Sequence, residues 1–208
     1  MSCSKVERSF FRHVTAIRIA LVLWVVFTGC EDPGKTTTTI FSVDSLVSAH
    51  TGYLRTANAT LTKVAFIGNE KSEEKFKPDS LQWEEEMRIF RHLDVINKPV
   101  YRDVYRVTTS ADKNSNLTVR RYAATVDDAP VTQFSIYYLD HLTRIKRVEA
   151  RYEERNVMFS ARRDLVLEFG EKERKPYLSA YSVKGGQKML LGDTVQYIIN
   201  GRISLPAD

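Results

Sequence analysis

Residues 177–203 read YLSAYSVKGGQKMLLGDTVQYIINGRI, and this stretch decides the expected fold. Short runs rich in β-branched and aromatic residues are typical of β-strands. Turn residues separate the runs at Gly185-Gly186, at Gly192-Asp193 and at Asn200-Gly201, the last of which is a strong hairpin signal. Connections this short leave no room for crossover helices, so the stretch predicts antiparallel strands joined in chain order.

The same pattern of short strand-like runs separated by turn residues begins after Pro99 and continues through the second half of the chain. It predicts strands over 101–109, 117–126, 131–139, 144–153, 157–169, 177–184, 187–191 and 194–199. One face of this sheet is expected to pack against helices, and the other is either solvated or curled around a ligand. Eight tyrosines lie on the strands, and they are interpreted as half-buried sheet residues rather than as an aromatic binding surface: Tyr105, Tyr122, Tyr137, Tyr138, Tyr152, Tyr177, Tyr181 and Tyr197.

Two helices are predicted before the strands. Over residues 44–66 the apolar residues recur on one helical face, and Gly68 supplies the stop. The second helix begins with Asp79-Ser-Leu-Gln82, which resembles a capping box, and ends before Pro99. Its apolar stripe consists of Trp83, Met87, Phe90 and Leu93. The predicted class is therefore α+β, with two N-terminal helices packed on a C-terminal antiparallel meander of about 7–8 strands that form a curved or half-barrel sheet.

Composition indicates an ordinary globular protein. The chain has 208 residues, of which 43% are hydrophobic and 27% charged. Of the formal net charge of +5, residues 1–29 carry +3, so the remainder carries only +2. Basic and acidic residues alternate there, as in RIKRVEARYEER at 144–155, which gives no sustained positive track for phosphates. The charge pattern therefore argues against nucleic acid as a partner.

The N-terminus has the three parts of an export signal: a basic start, an apolar run and small residues at a cleavage point. The apolar run, IALVLWVVF at 19–27, is about half the length that a permanent membrane-spanning helix needs. It leads into Phe27-Thr-Gly-Cys30. We expect residues 1–29 to be a removed signal peptide, residues 30–39 a tether, and residues 40–208 a single α+β domain.

These residues resemble the lipobox of bacterial lipoproteins, with Phe27 in the place where leucine is usual. The resemblance implies cleavage before Cys30, a diacylglyceryl thioether on its sulfur and an N-acyl chain. Several acyl chains anchor a protein stably to a bilayer. The expected location is the bacterial cell envelope, at the outer membrane. The sequence does not distinguish between the periplasmic face and the surface face of that membrane.

A second motif overlaps the first. Gly29, Gly34, Lys35 and Thr36 fit the phosphate-binding P-loop pattern G-x-x-x-x-G-K-[ST]. A P-loop requires a helix at this point, whereas residues 36–43 form the β-branched run TTTTIFSV. Residues 134–140, which end in Asp140, resemble a magnesium-binding strand. The two interpretations exclude each other, because cleavage at Cys30 removes the first glycine.

The rest of the chain carries no recognisable catalytic or metal motif. Three histidines follow the tether, far apart in sequence: His50, His92 and His141. Paired carboxylates at Asp127-Asp128 and Glu153-Glu154 fall in predicted turns, where exposed acids are ordinary. No G-x-S-x-G elbow occurs. We therefore expect no enzymatic activity, no cofactor and no metal.

The mature region also resembles small envelope lipoproteins of Bacteroidetes-type bacteria that carry no known activity. The residues concerned are 90–99 (FRHLDVINKP), 185–191 (GGQKMLL) and 193–203 (DTVQYIINGRI). Three hypotheses follow. The first is a non-enzymatic envelope lipoprotein whose sheet face binds an envelope protein; the second is a carrier of lipid or another apolar ligand in a half-barrel sheet; the third is a P-loop nucleotide hydrolase.

Overall fold

A computed structural model describes residues 40–189 and 193–206. The expected signal peptide (1–29), the lipidation site Cys30, the P-loop pattern and the tether (30–39) lie outside the described residues. Within the described part of the chain, no helix is long and apolar enough to cross a membrane.

Two helices and nine strands make up the described chain. The helices are α1 (Val43–Thr56) and α2 (Ser80–Arg91), and two 3₁₀ segments, His92–Asn97 and Pro99–Val104, follow α2. The strands are β1 (Thr60–Ile67), β2 (Glu70–Phe76), β3 (Tyr105–Ala111), β4 (Thr118–Ala124), β5 (Val131–Tyr138), β6 (Ile145–Arg155), β7 (Phe159–Lys172), β8 (Lys175–Met189) and β9 (Thr194–Ser204).

All nine strands join one open antiparallel sheet, in the order β2-β1-β9-β8-β7-β6-β5-β4-β3. Strands β3 to β9 follow one another as the predicted meander. The N-terminal hairpin β1–β2 then adds to the far side of β9, with Thr60 opposite Ser204. The α+β class and the mostly antiparallel sheet are confirmed, whereas the expected count of 7–8 strands is too low.

The prediction that two helices precede the strands is wrong. Helix α1 ends at Thr56, and Asn58 takes a left-handed conformation (φ 50°) that turns the chain into β1. Only one helix therefore precedes the first strand, and α2 lies between β2 and β3. The apolar spacing of residues 44–66 spans this break by coincidence. Gly68 closes the β1–β2 hairpin, where its φ of 58° suits a glycine, instead of stopping a helix.

Two predicted turns lie inside strands. Gly185-Gly186 is in β8, and Asn200-Gly201 is in β9. These glycines make room for cross-strand neighbours: a Cβ on Gly201 would lie 2.1 Å from Cε1 of Tyr181, and one on Gly185 would lie 2.8 Å from the hydroxyl of Tyr197. The glycines are needed because tyrosine rings lie over them, which is a known use of glycine in a strand interior.

Side-chain oxygens fix the starts of both helices. The predicted capping box of α2 is confirmed, since Asp79 Oδ1 accepts from the N–H of Gln82 (2.8 Å) and Gln82 Oε1 accepts from the N–H of Asp79 (2.9 Å). Helix α1 is held from a distance, because the carboxylate of Asp94 accepts from the N–H groups of Val43 (2.7 Å) and Asp44 (2.9 Å). The 3₁₀ segment after α2 therefore positions the start of α1.

The core lies between the helices and one face of the sheet. It is filled by closely packed apolar side chains, as expected for a protein interior. The largest fully buried members are Trp83, Phe90, Phe134, Leu54, Leu61, Met87, Leu93, Ile96, Ile136, Leu165, Leu167 and Leu178. The predicted stripe of α2 is confirmed as core, since Trp83, Met87, Phe90 and Leu93 are all buried.

Candidate binding face

The sheet face opposite the helices is the candidate functional surface, and we call it the open face. Side chains alternate between the two faces along each strand. Since Leu165 and Leu167 of β7 point into the core, Asp164 and Val166 beside them belong to the open face. The strand register extends this row to Glu149 on β6 and Ser182 on β8.

Three adjoining cavities make a groove across the open face. The largest, of about 580 Å³, lies over β1, β9, β8 and β7 and includes Ser182, Asn200 and Val166. A second, of about 210 Å³, lies over β5 to β7 and shares Val166 with the first. The third, of about 350 Å³, lies over β6 to β9 and shares Asp164 with the second. Because neighbouring cavities share a lining residue, the three lie side by side across the open face, and we call them together the groove.

Many polar and charged side chains line the groove, and several of the charged ones are organised in ion pairs. Asp164 Oδ1 accepts from Nε of Arg151 at 2.8 Å. Glu153 lies 2.8 Å from Arg155 and 3.8 Å from Arg162. The side chains of these five residues are between 20% and 73% exposed, so each pair is reached by solvent and contributes little to stability. Their importance is the charge pattern that they present to a ligand.

Two lysines in the groove have no acidic partner among the described residues. Lys184 and Lys188 of β8 line the 350 Å³ cavity beside Arg155 and Arg162, and no described carboxylate lies within ion-pair distance of either lysine. Gly185 and Gly186 form part of the same lining. This end of the groove is therefore a cationic basin, which suits negatively charged groups.

A buried tyrosine borders the groove on β5. The hydroxyl of Tyr137 donates to Oε2 of Glu149 at 2.8 Å, while the guanidinium of Arg147 lies 4.2 Å from its ring centroid. Burial, together with the hydrogen bond to Glu149, raises the pKa of Tyr137 above its ordinary value. Tyr137 thus remains a neutral hydrogen-bond donor at neutral pH and fixes the geometry of this border.

On the helix side of the sheet, a polar network connects α2 to the strands. The hydroxyl of Tyr181 donates to Glu86 Oε2 at 2.5 Å, and Lys63 Nζ lies 2.6 Å from Glu86 Oε1. Tyr181 is 3% exposed, and burial followed by the bond to Glu86 raises its pKa strongly. This network lies beneath the helix rather than in the groove, so its role is to hold α2 on the sheet.

The residues singled out from sequence do not come together. Asp140 lies in the β5–β6 turn and pairs with Arg144 at 2.8 Å. Glu153 and Glu154 are in β6 and not in a turn as predicted, since β6 extends to Arg155. The rings of His50 and Phe169 pack together, with centroids 4.8 Å apart. Among residues 40–189 and 193–206, no group of three or more His, Cys, Asp or Glu side chains is placed to hold a metal ion.

Seven of the eight strand tyrosines lie in the core or at its margin, and Tyr137 is buried on the open face. Tyr122, Tyr137 and Tyr181 are buried, and the other five are partly buried against the core: Tyr105, Tyr138, Tyr152, Tyr177 and Tyr197. The interpretation as half-buried sheet residues is confirmed.

Sequence reasoning did not identify the two unpaired lysines of the basin. The signal was present in the alternation of β8, where Lys184 directly follows the core residue Val183 and Lys188 lies two residues after Gly186. Treating the glycine pair as a turn divided this strand in two and hid the alternation.

Comparison of the chain with protein-family models, with curated proteins and with solved structures finds no match.

Proposed function

We propose that this chain is a lipid-anchored lipoprotein of the bacterial cell envelope, with a non-enzymatic role in which the groove of the open face binds a polar, charged partner. The observation that carries the binding role is the groove itself, whose three cavities adjoin at Asp164 and Val166 and are lined in part by charged and small polar side chains. The lipobox resemblance at Cys30 supports the anchor.

The non-enzymatic role is supported by the pairing of the groove carboxylates. Asp164 is paired with Arg151, Glu153 with Arg155, and Glu149 with Arg147 at 3.1 Å. Each of these three carboxylates has a guanidinium partner, in contrast to the two carboxyl groups in different environments that acid–base catalysis uses. Arranged with their arginines, these carboxylates instead offer both charges to a peptide or a protein surface.

The carrier of apolar ligands is the weaker candidate. A carrier needs an apolar cavity between the helices and the sheet, or an apolar inner face of a half-barrel. The helix side is filled by core residues such as Phe134, Leu165 and Phe90. The open face carries charged side chains along its groove, and the sheet is open.

The nucleotide-hydrolase hypothesis gains no support from the described residues. P-loop folds surround the phosphate with helices and parallel strands. Here every described strand pairing is antiparallel, and Asp140 is engaged with Arg144. Lys35 lies outside the described residues, so nucleotide binding by wild type and by Lys35→Ala is the direct test of that hypothesis.

Two measurements test the proposal. The first is the intact mass of the chain from membrane fractions, for wild type and Cys30→Ala. We expect a triacylated chain beginning at Cys30 in wild type and its loss in the variant. An unprocessed wild-type chain that keeps Met1 would contradict the anchor.

The second measurement tests the groove by photocrosslinking in intact cells. A photoreactive amino acid is placed at Ser182 in the groove, and as a matched control at Asn114 in the exposed β3–β4 turn. We expect discrete crosslinked species from position 182 and not from position 114. Identical patterns at the two positions would contradict a specific binding groove.

A further inference from the structure

Exposed apolar side chains gather at one end of the sheet. Among the described residues, seven of the ten exposed large hydrophobics lie there. Val126 is in the β4–β5 turn, and the other six lie on or between neighbouring strands; we call these six the apolar rim: Phe66, Ile67, Val157, Met158, Met189 and Val195. The register brings them together, since Phe159 pairs with Met189, Lys188 with Thr194, and Ile67 with Tyr197.

The rim runs across five neighbouring strands, β1-β9-β8-β7-β6, which span about 19 Å at the usual strand separation. Its most prominent part is the β6–β7 hairpin tip, where Val157 is 86% and Met158 61% exposed. Side chains that project from hairpin tips do not form a flat surface, so each of them can insert separately into a lipid bilayer.

The opposite end of the sheet is different, and we call it the polar end. Its turns connect β3 to β4, β5 to β6 and β7 to β8, and they carry mainly polar and charged residues, among them Asp112, Asn114, Asp140, His141, Glu173 and Arg174. Exposed apolar residues scattered singly need no explanation, but their concentration at one end of a sheet indicates a contact surface.

Cations lie directly behind the tips. Arg155, Arg162, Lys184 and Lys188 line the cavity on the open face at the rim end, where Glu153 is shared between the two arginines. Exposed acids also lie at this end: Asp193 next to the basin, and Asp127 and Asp128 in the β4–β5 turn farther along the sheet. The basin keeps a positive excess, so an apolar edge is backed by positive charge. A bilayer with anionic headgroups has the complementary arrangement, apolar below and negative at the surface.

The start of the described chain lies away from the polar end. Helix α1 delivers the chain to Thr60, at the end of β1 opposite to Ile67, and His50 within the helix contacts Phe169 near the β7–β8 turn. The residues before the helix are further from that end, since Phe41 contacts Phe134 in the middle of β5. A ten-residue tether reaches at most about 35 Å. A lipid at Cys30 would thus hold the rim within reach of the membrane.

From this arrangement we infer that the apolar rim docks on the surface of an anionic phospholipid bilayer, with Val157 and Met158 inserted and the cationic basin over the headgroups. The inference rests on the proposed function only through the tether. The docked domain would then present the remainder of its groove along the membrane surface.

The test uses the full chain, purified as the cell processes it and carrying Cys3→Ser. A fluorescent thiol probe is placed at Met158→Cys on the rim, or at Leu81→Cys, which is 72% exposed in the first turn of α2 near the polar end. The chain is added to phosphatidylglycerol–phosphatidylethanolamine vesicles that contain a spin-labelled lipid as quencher, and the signal of the parent chain is subtracted.

We expect the probe at position 158 to lose most of its fluorescence and the probe at position 81 to keep it. The double substitution Lys184→Glu/Lys188→Glu should restore fluorescence at position 158, because it reverses the charge of the basin. Equal quenching at the two positions overturns the inference. Absence of quenching at position 158 also overturns it.

The intact mass of the same preparation separates the two proposals. A triacylated chain without quenching at position 158 removes the rim inference and leaves the anchor standing. An unacylated chain that is still quenched at position 158 leaves the rim inference standing without the anchor.

Discussion

Gly201→Ala is expected to destabilise the protein, although replacing a glycine in a strand by alanine ordinarily stabilises a protein. The new Cβ would lie 2.1 Å from Cε1 and 2.3 Å from Cζ of Tyr181. That ring cannot move aside, because its hydroxyl is bonded to Glu86 at 2.5 Å and the ring contacts Phe90, with centroids 5.8 Å apart. Overpacking a buried site costs about 1–3 kcal/mol, whereas removing a strand glycine gains about 0.5–1 kcal/mol.

The expected net loss is therefore about 1–2 kcal/mol in the free energy of unfolding. Urea unfolding followed by far-ultraviolet circular dichroism measures it. Gly52→Ala is the matched control: it lies in α1 with no atom within 4 Å of the new Cβ, so it should stabilise the protein by about 1 kcal/mol. In a Tyr181→Leu background the cost of Gly201→Ala should largely disappear. A cost that is as large in that background as it is beside the tyrosine ring would refute the reasoning.

Three further outcomes are expected. Asp94→Ala removes the carboxylate that caps α1 from a distance, and urea unfolding should show a loss of about 1–2 kcal/mol; an unchanged midpoint would contradict the capping role. Burial lowers the pKa of His50 below its ordinary value of 6.5, so the imidazole is protonated more readily in the unfolded chain than in the folded one. The contribution of His50 to stability should therefore be complete above pH 6.5 and be lost as the pH drops towards the folded-state pKa. Thermal unfolding across about pH 5–8 should show a smaller pH dependence for His50→Gln than for wild type. Tyr181→Phe leaves the ring over Gly201 but removes the bond to Glu86, so it should cost about 1.5–3 kcal/mol, and a neutral result would argue that the network does not hold α2 on the sheet.

The meander was predictable because its turns are short and its strands are rich in β-branched residues. The start of α2 was predictable because Asp79 and Gln82 supply a complete local signal. Local pattern failed where tertiary contacts decide. Strand β2 reads EKSEEKF, a charged sequence without apolar alternation, and it is a strand only because it pairs with β1 at the sheet edge. Gly201 looked like a turn residue because the ring of Tyr181 that requires it lies on another strand.

Neither the groove nor the rim could be predicted from the sequence, and the reason is the same. Lys184 and Val157 are ordinary residues in their own segments. They acquire meaning from the register, which places Lys184 opposite Asp164 in the cavity that Arg162 also lines, and which brings the β6–β7 tip to the same end as Ile67. A single sequence indicates the face on which each of these side chains lies, but not the neighbour across the strand.

The position of β9 between β1 and β8 also determines the order in which the parts of the sheet can assemble during synthesis. Thr60 and Ser204 are neighbours in the sheet but lie 144 residues apart in the chain. The β1–β2 hairpin is synthesised early, yet its partner strand emerges last, so the sheet is completed only when the final segment is available. A chain truncated before Thr194 would lose the strand that connects this hairpin to the meander. Until then, the edge of β1 that pairs with β9 would be open, while the charged β2 would discourage pairing with other chains only at the opposite edge of the hairpin.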